Sequence, residues 1–138
     1  MNSHLLLDTC AIIWVADNQL ITDDARDAIT AALRADEPIF VSPISAWEIG
    51  LLASHGRISL QMPPEKWFQR FLEAPGVRLA EMPPQVLIAS SFLPGSHPKD
   101  PADRIIAATA REYGYRVVTR DRKLLAYAEL GHCQALVC

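Results

Sequence analysis

The chain has 138 residues, half of them hydrophobic and 21% charged, which suits one hydrophobic core and leaves no room for a second. Its formal charge of −3 argues against a nucleic-acid partner by total alone. With four carboxylates set aside as holders of a cation, the remainder is +1, and the last third carries Lys99, Arg104, Arg111, Arg116, Arg120, Arg122 and Lys123, so RNA is not excluded.

Strand and helix signals alternate along the chain. His4 to Leu7 reads as a short strand ending at Asp8, followed by a helix from about Thr9 to Ala16. Thr22 caps a predicted helix from Asp23 to Ala35, whose first turn is acidic, as the helix dipole favours. Ile39-Phe40-Val41 is β-rich and runs into Ser42-Pro43, a cap followed by proline at the first helical position; this helix reaches Ser54 and stops at Gly56. Pro63-Pro64 introduces a helix from Glu65 to Glu73, Val77 to Ala80 reads as a strand, and Pro84 opens a helix to about Phe92. Asp100-Pro101 caps a long helix, Ala102 to Tyr113, ended by Gly114. Arg116 to Thr119 is a buried-type strand, Arg122 to Ala128 a short helix, and Gln134 to Val137 a last strand. Short strands separated by helices predict an α/β fold: a mostly parallel sheet of four or five strands flanked by helices, forming a single domain over residues 1–138.

Four acids stand out against this frame. In open parallel sheets ligands bind beyond the carboxyl ends of the strands. Asp8 ends the first strand and Asp121 lies just past the strand Arg116–Thr119. Glu48 sits mid-helix with Ile44, Leu51 and Leu52 on its face, and an ionised carboxylate among aliphatic groups must be paired or metal-bound. Asp103 heads an inward stripe of Ile106, Ala107 and Ala110, and its first-turn position is expected to keep it ionised. Each has an ordinary alternative: Asp8 and Asp121 precede helices and are placed to cap them, Asp100 is read as a cap rather than a ligand, and Glu48 is explicable by a buried arginine. Four separate explanations are then needed where one Mg²⁺ or Mn²⁺ site needs one. Such ions take oxygen ligands and support in-line attack on a phosphodiester. Crowded carboxylates are also expected to push one another's pKa values upward.

The segments Leu7-Asp8-Thr9-Cys10, Ser45-Ala46-Trp47-Glu48-Ile49, Asp100-Pro101-Ala102-Asp103-Arg104-Ile105-Ile106 and Val118-Thr119-Arg120-Asp121 follow one another in the order of the four PIN-domain motifs. Along essentially its whole length the chain resembles this family, most of all the VapC toxins of toxin–antitoxin pairs. The resemblance implies a metal-dependent endoribonuclease with Asp8, Glu48, Asp103 and Asp121 as the acidic quartet and Thr119 and Thr9 as supporting polar groups. It further implies a structured RNA substrate such as transfer or ribosomal RNA, inhibition by a VapB-like antitoxin, and a homodimer. Cys10 departs from the family's usual serine.

Arg104, Arg120, Arg122 and Lys123 flank two of the acids and are candidates to hold RNA phosphates; for Arg122 and Lys123 a plain solvated face is the alternative, and Arg104 is also placed to pair with its acidic neighbours. Trp47, Trp67, Phe71 and Leu72 form either an apolar groove for an antitoxin helix or ordinary core. The cysteines, Cys10, Cys133 and Cys138, have no disulfide or zinc spacing, which suits a reducing cytoplasm. No apolar run spans a membrane, and the start lacks the basic flank of a signal peptide. A receiver-type domain would need adjacent acids after the first strand, and a haloacid-dehalogenase-type phosphatase would need Asp-x-Asp there; Asp8-Thr9-Cys10 supplies neither. A PIN-like domain that binds RNA or protein without cutting is the non-enzymatic alternative.

Overall fold

The structure, a computed structural model, describes residues 3–138. Twelve elements follow in order among them: β1 (Leu5–Leu7), α1 (Thr9–Ala16), α2 (Asp23–Arg34), β2 (Ile39–Val41), α3 (Pro43–Ser54), α4 (Pro64–Leu72), β3 (Val77–Leu79), α5 (Pro84–Ala89), α6 (Pro101–Tyr113), β4 (Arg116–Thr119), α7 (Arg122–Glu129) and β5 (Gln134–Val137). All five strands are parallel, in the order β3-β2-β1-β4-β5, so the sheet is wholly rather than mostly parallel. The continuous apolar run Leu5-Leu6-Leu7 is buried on both faces, as the central strand of such a sheet requires.

Side chains alternate across the sheet and divide the core in two. Leu5, Leu7, Ile39, Val41 and Val118 face one layer, which holds Ala11 and Ile12 of α1, Ala25 and Ala32 of α2, and Phe68 of α4. Leu6 and Val117 face the other, packed with Val86 of α5, Ile106, Ala107 and Ala110 of α6, and Leu124 and Tyr127 of α7. Gly114 ends α6 in the left-handed conformation, φ 71°, with its N–H donating to Ala110 O; this turns the chain directly into β4.

Helix α5 is shorter than its sequence pattern predicts. The run to Phe92 stops at Ala89, because Ser91 N and Phe92 N bond three residues back, to Ile88 O and Ala89 O, and the Ser90 hydroxyl takes Leu87 O. The tightened turn and the serine's back-bond compete with helical continuation.

From β1 the chain adds β2 and β3 on one side, then returns to lay β4 and β5 on the other. The topological switch therefore falls between β1 and β4, whose registers pair Leu7 with Val118. A crevice opens at their carboxyl ends, and Asp8 and Asp121 stand at those two ends.

Candidate active site

A hollow of about 470 Å³ lies at this crevice, and its lining includes Asp8, Glu48, Asp100, Asp103 and Asp121. The four acids singled out in the sequence meet there, joined by a fifth. They are carried by the end of β1, by α3, by the start of α6 and by the start of α7.

Asp8 is buried, 4% exposed. Its Oδ1 accepts from Thr9 N at 2.8 Å, while Oδ2 accepts from the Thr119 hydroxyl at 2.7 Å and the Cys10 thiol at 3.5 Å. Thr119, wholly buried on β4, also accepts from Asp121 N at 3.0 Å, so one hydroxyl ties the two strand ends together. Thr119→Val should therefore lose two bonds without changing shape. We expect a cost of about 1–3 kcal/mol in urea unfolding with roughly tenfold slower RNA cleavage; an unchanged variant in both assays would remove Thr119 from the site.

The caps and the site are the same residues. Asp121 caps α7 through Oδ1, which accepts from Lys123 N at 2.8 Å and Leu124 N at 3.0 Å, and Asp100 caps α6 through Oδ1 from Ala102 N and Asp103 N. In both, the cap engages one oxygen of a carboxylate that also lines the hollow. Asp100, read from sequence as a cap alone, belongs to the lining as well. Its spacing of three from Asp103 on one helical turn was the available signal.

Glu48 is half-buried rather than sunk in the core. The inward face of α3 is Ser45 and Ile49, and Glu48 shares the hollow with Leu52 while Leu51 is 38% exposed. Its Oε1 accepts from the Thr9 hydroxyl, which also bonds Ser45 Oγ at 2.9 Å. No arginine neutralises it: among the described residues the one ion pair within 4.0 Å is Arg26–Asp23 on the surface. Arg104 likewise forms no such pair.

The electrostatics follow from this crowding. Burial, with the charges of Asp8, Asp121, Asp100 and Glu48, pushes the Asp103 carboxyl up to about 8, so the helix dipole does not keep it ionised as its first-turn position suggested. Burial raises Glu48 too, opposed by its bond from Thr9 and reinforced by the neighbouring acids. Asp8 is raised by burial against the pull of its three donors. The Cys10 thiol is raised by its contact with Cys138 and by burial, which keeps it a donor to Asp8.

These donors are hard oxygens, and their mutual repulsion is what a divalent cation relieves, so the set fits Mg²⁺ or Mn²⁺. Among the described residues no three His, Cys, Asp or Glu side chains form a ready-made metal cage.

The pattern of the PIN domain family matches residues 5–130. The chain belongs to the PIN domain family. It is 40% identical over 127 residues to ribonuclease VapC22 of Mycobacterium tuberculosis, covering 92% of this chain and 93% of that protein. Two solved structures share the fold at low identity. The Rickettsia felis VapBC2 structure, bound to a fragment of its promoter DNA, has a TM-score of 0.65 at 12% identity and covers 96% of this chain and 97% of that one. The DNA-bound VapBC of Salmonella typhimurium gives 0.64 at 19%, covering 99% and 98%.

Of the basic candidates, Arg120 lines the hollow. Arg122 and Lys123 are exposed at the start of α7 and Arg104 is half-buried on α6, none of them in the lining. The aromatic candidates separate. Trp67 and Phe71 stack with centroids 6.2 Å apart beside one hollow, Leu72 lines another with Phe68, and Trp47 is 51% exposed apart from both. Sequence reasoning passed over Ile13 and Trp14 and took Leu52 only as an aliphatic neighbour of Glu48; all three line the hollow with the acids. Helical spacing from Asp8 and Glu48 was the only hint of them.

Proposed function

We propose that this PIN domain protein is an Mg²⁺- or Mn²⁺-dependent endoribonuclease acting as the toxin of a type II toxin–antitoxin pair. The observation that carries the reading is the convergence of carboxylates from four distant segments on one hollow, with no ion-pair partner among the described residues. Complete retention of the quartet favours cleavage over RNA binding alone.

Asp8, Asp103, Asp121 and Glu48 are the residues that would hold the cation. Bound there, it supplies charge neutralisation for a phosphodiester under in-line attack and acidifies the attacking water. The chain's own part is positional. Asp8 is locked by Thr9, Thr119 and Cys10; Asp121 and Asp100 are locked by their caps; Glu48 is steered by Thr9. Asp103 accepts no such bond among the described residues, and burial with the neighbouring acids raises its carboxyl to about 8 in the metal-free fold, a charge conflict that the cation relieves. Arg104, Arg122 and Lys123 hold the flanking RNA backbone.

The partners follow from surfaces. The hollow beside Trp67 and Phe71, which also carries Asp17, Asn18, Gln61 and Arg70, suits an amphipathic antitoxin helix, in line with the VapBC complexes that share the fold. Leu87, Ile88 and Phe92, which are 39%, 64% and 79% exposed, suit a second copy of the chain. Three free cysteines fit a reducing cytoplasm, and no described helix is long and apolar enough to cross a membrane.

Incubating the protein with total RNA and added Mg²⁺ or Mn²⁺ should give cleavage that chelator abolishes and metal restores. Asp8→Asn should cut at least roughly a hundredfold more slowly. Cleavage that persists in chelator, or in Asp8→Asn and Asp103→Asn alike, would defeat the assignment.

A further inference from the structure

Arg120 immediately precedes Asp121, and its guanidinium carbon lies 3.6 Å from the centroid of the Trp14 ring. Its Nη2 donates to Cys138 O at 2.8 Å and to Leu20 O at 3.1 Å. Both protons of Nη2 are thereby committed, and the plane of the group is fixed. Either two-pronged grip on a phosphate, end-on or side-on, needs an Nη2 proton. The arrangement therefore disfavours the phosphate role that position alone suggested for Arg120. Nε–H and the Nη1 protons keep single contacts open, and the flat face turned away from Trp14 stays available on a residue that is exposed and borders the hollow.

The hollow thus has two chemically distinct walls. One is carboxylate oxygen. The other is flat or apolar: Ile13, Trp14, Leu52 and the guanidinium plane. A phosphodiester held by the carboxylates carries a base on the neighbouring sugar, and the flat and apolar groups line the same cavity. A guanidinium backed by an aromatic ring is a stacking surface for a base face, and stacking requires a base free of its own helix.

We propose that the Trp14–Arg120 stack is a base-binding subsite that receives an unpaired nucleobase next to the scissile phosphate. The subsite rests on the ribonuclease reading above and deepens it at one point, the residues that take up the base beside the scissile phosphate. Arg120 acts there through its face, with its charge secondary.

The test uses the full chain. A single-stranded oligoribonucleotide that the protein cleaves is remade with one abasic position, walked through the nucleotides around the cut. Binding is measured in Mg²⁺ with the cleavage-deficient Asp103→Asn protein, alone and combined with Arg120→Lys or Arg120→Gln. One abasic position should weaken binding roughly tenfold. Arg120→Lys, which keeps the charge and loses the plane, should weaken the intact oligonucleotide by a similar factor, and the abasic change should then cost nothing more. An abasic penalty that survives undiminished in Arg120→Lys, or appears at no position, overturns the subsite. So does the phosphate result, in which Arg120→Lys binds normally and Arg120→Gln lowers the salt slope by about one. A protein that neither cuts nor binds any intact oligonucleotide overturns the nuclease reading itself, and the subsite with it.

Discussion

Asp103→Asn is expected to abolish RNA cleavage and, in the same protein, to raise the stability of the metal-free fold at pH 8. The loss of cleavage should exceed the roughly 10–100-fold typical of removing an outer partner of a metal site, because a carboxylate of the centre itself is gone. The gain has a different origin. In the metal-free fold Asp103 holds its proton up to about 8, against an ordinary value of 3.8. Between those values the folded state binds a proton that the unfolded chain has released, so stability falls as pH rises from about 4 to about 8. Asparagine does not ionise and is free of this slope. The side chain is half-buried and partly screened by water. After that discount we expect roughly 1–2 kcal/mol, or a few degrees in Tm. Melts in chelator at pH 5 and pH 8 decide it: the variant's advantage should be large at pH 8 and small at pH 5. Added Mg²⁺ should raise the wild-type Tm more than the variant's. A variant less stable at pH 8, or an advantage that ignores pH, would contradict the electrostatic account.

One helical turn further on, the sign reverses. Ile106 lies on the same stripe of α6 as Asp103 and is fully buried between the helix and the sheet. Ile106→Ala removes three carbons from a packed interior and should cost about 2–5 kcal/mol, a large share of the ~5–15 kcal/mol that holds a typical domain together. Urea titration would show the midpoint falling with little change in slope; a cost below about 1 kcal/mol would mean that the layer between α6 and the sheet collapses to fill the space. The two variants separate what α6 contributes. Its inner stripe supports the fold, and its first turn carries charge that the metal-free fold tolerates at a cost.

Much of this was readable from residues alone, for local reasons. The apolar triplet before Asp8 marked β1, the β-branched run Val117-Val118-Thr119 marked β4, and Ser42-Pro43, Asp100-Pro101 and Gly114 marked helix ends within a residue or so. Order in space was less accessible. Nothing local tells Leu6 that its neighbours are Phe40 and Val117, and the position of the switch between β1 and β4 depends on those pairings. The same limit hid Trp14 and Arg120, which meet only because α1 and the end of β4 are adjacent in the folded sheet. Asp100 and Asp121 were obscured differently: a carboxylate has two oxygens, and a cap that accounts for one leaves the other unassigned. Glu48 was placed on an aliphatic face, yet that face borders a water-accessible hollow. Periodicity gives direction around a helix; it does not tell core from cavity.

The bond from Thr119 to Asp8 joins residues 111 positions apart, and it is formed by strands at the heart of the sheet. A chain leaving the ribosome amino end first can make β1, β2 and β3 long before β4 exists to complete the pairing. Asp8 then waits without its chief donor, and Asp121 has yet to be translated. The acidic cluster is therefore completed in one step, once residue 121 has been made, and fragments released before it lack two of the parts that meet at the strand ends.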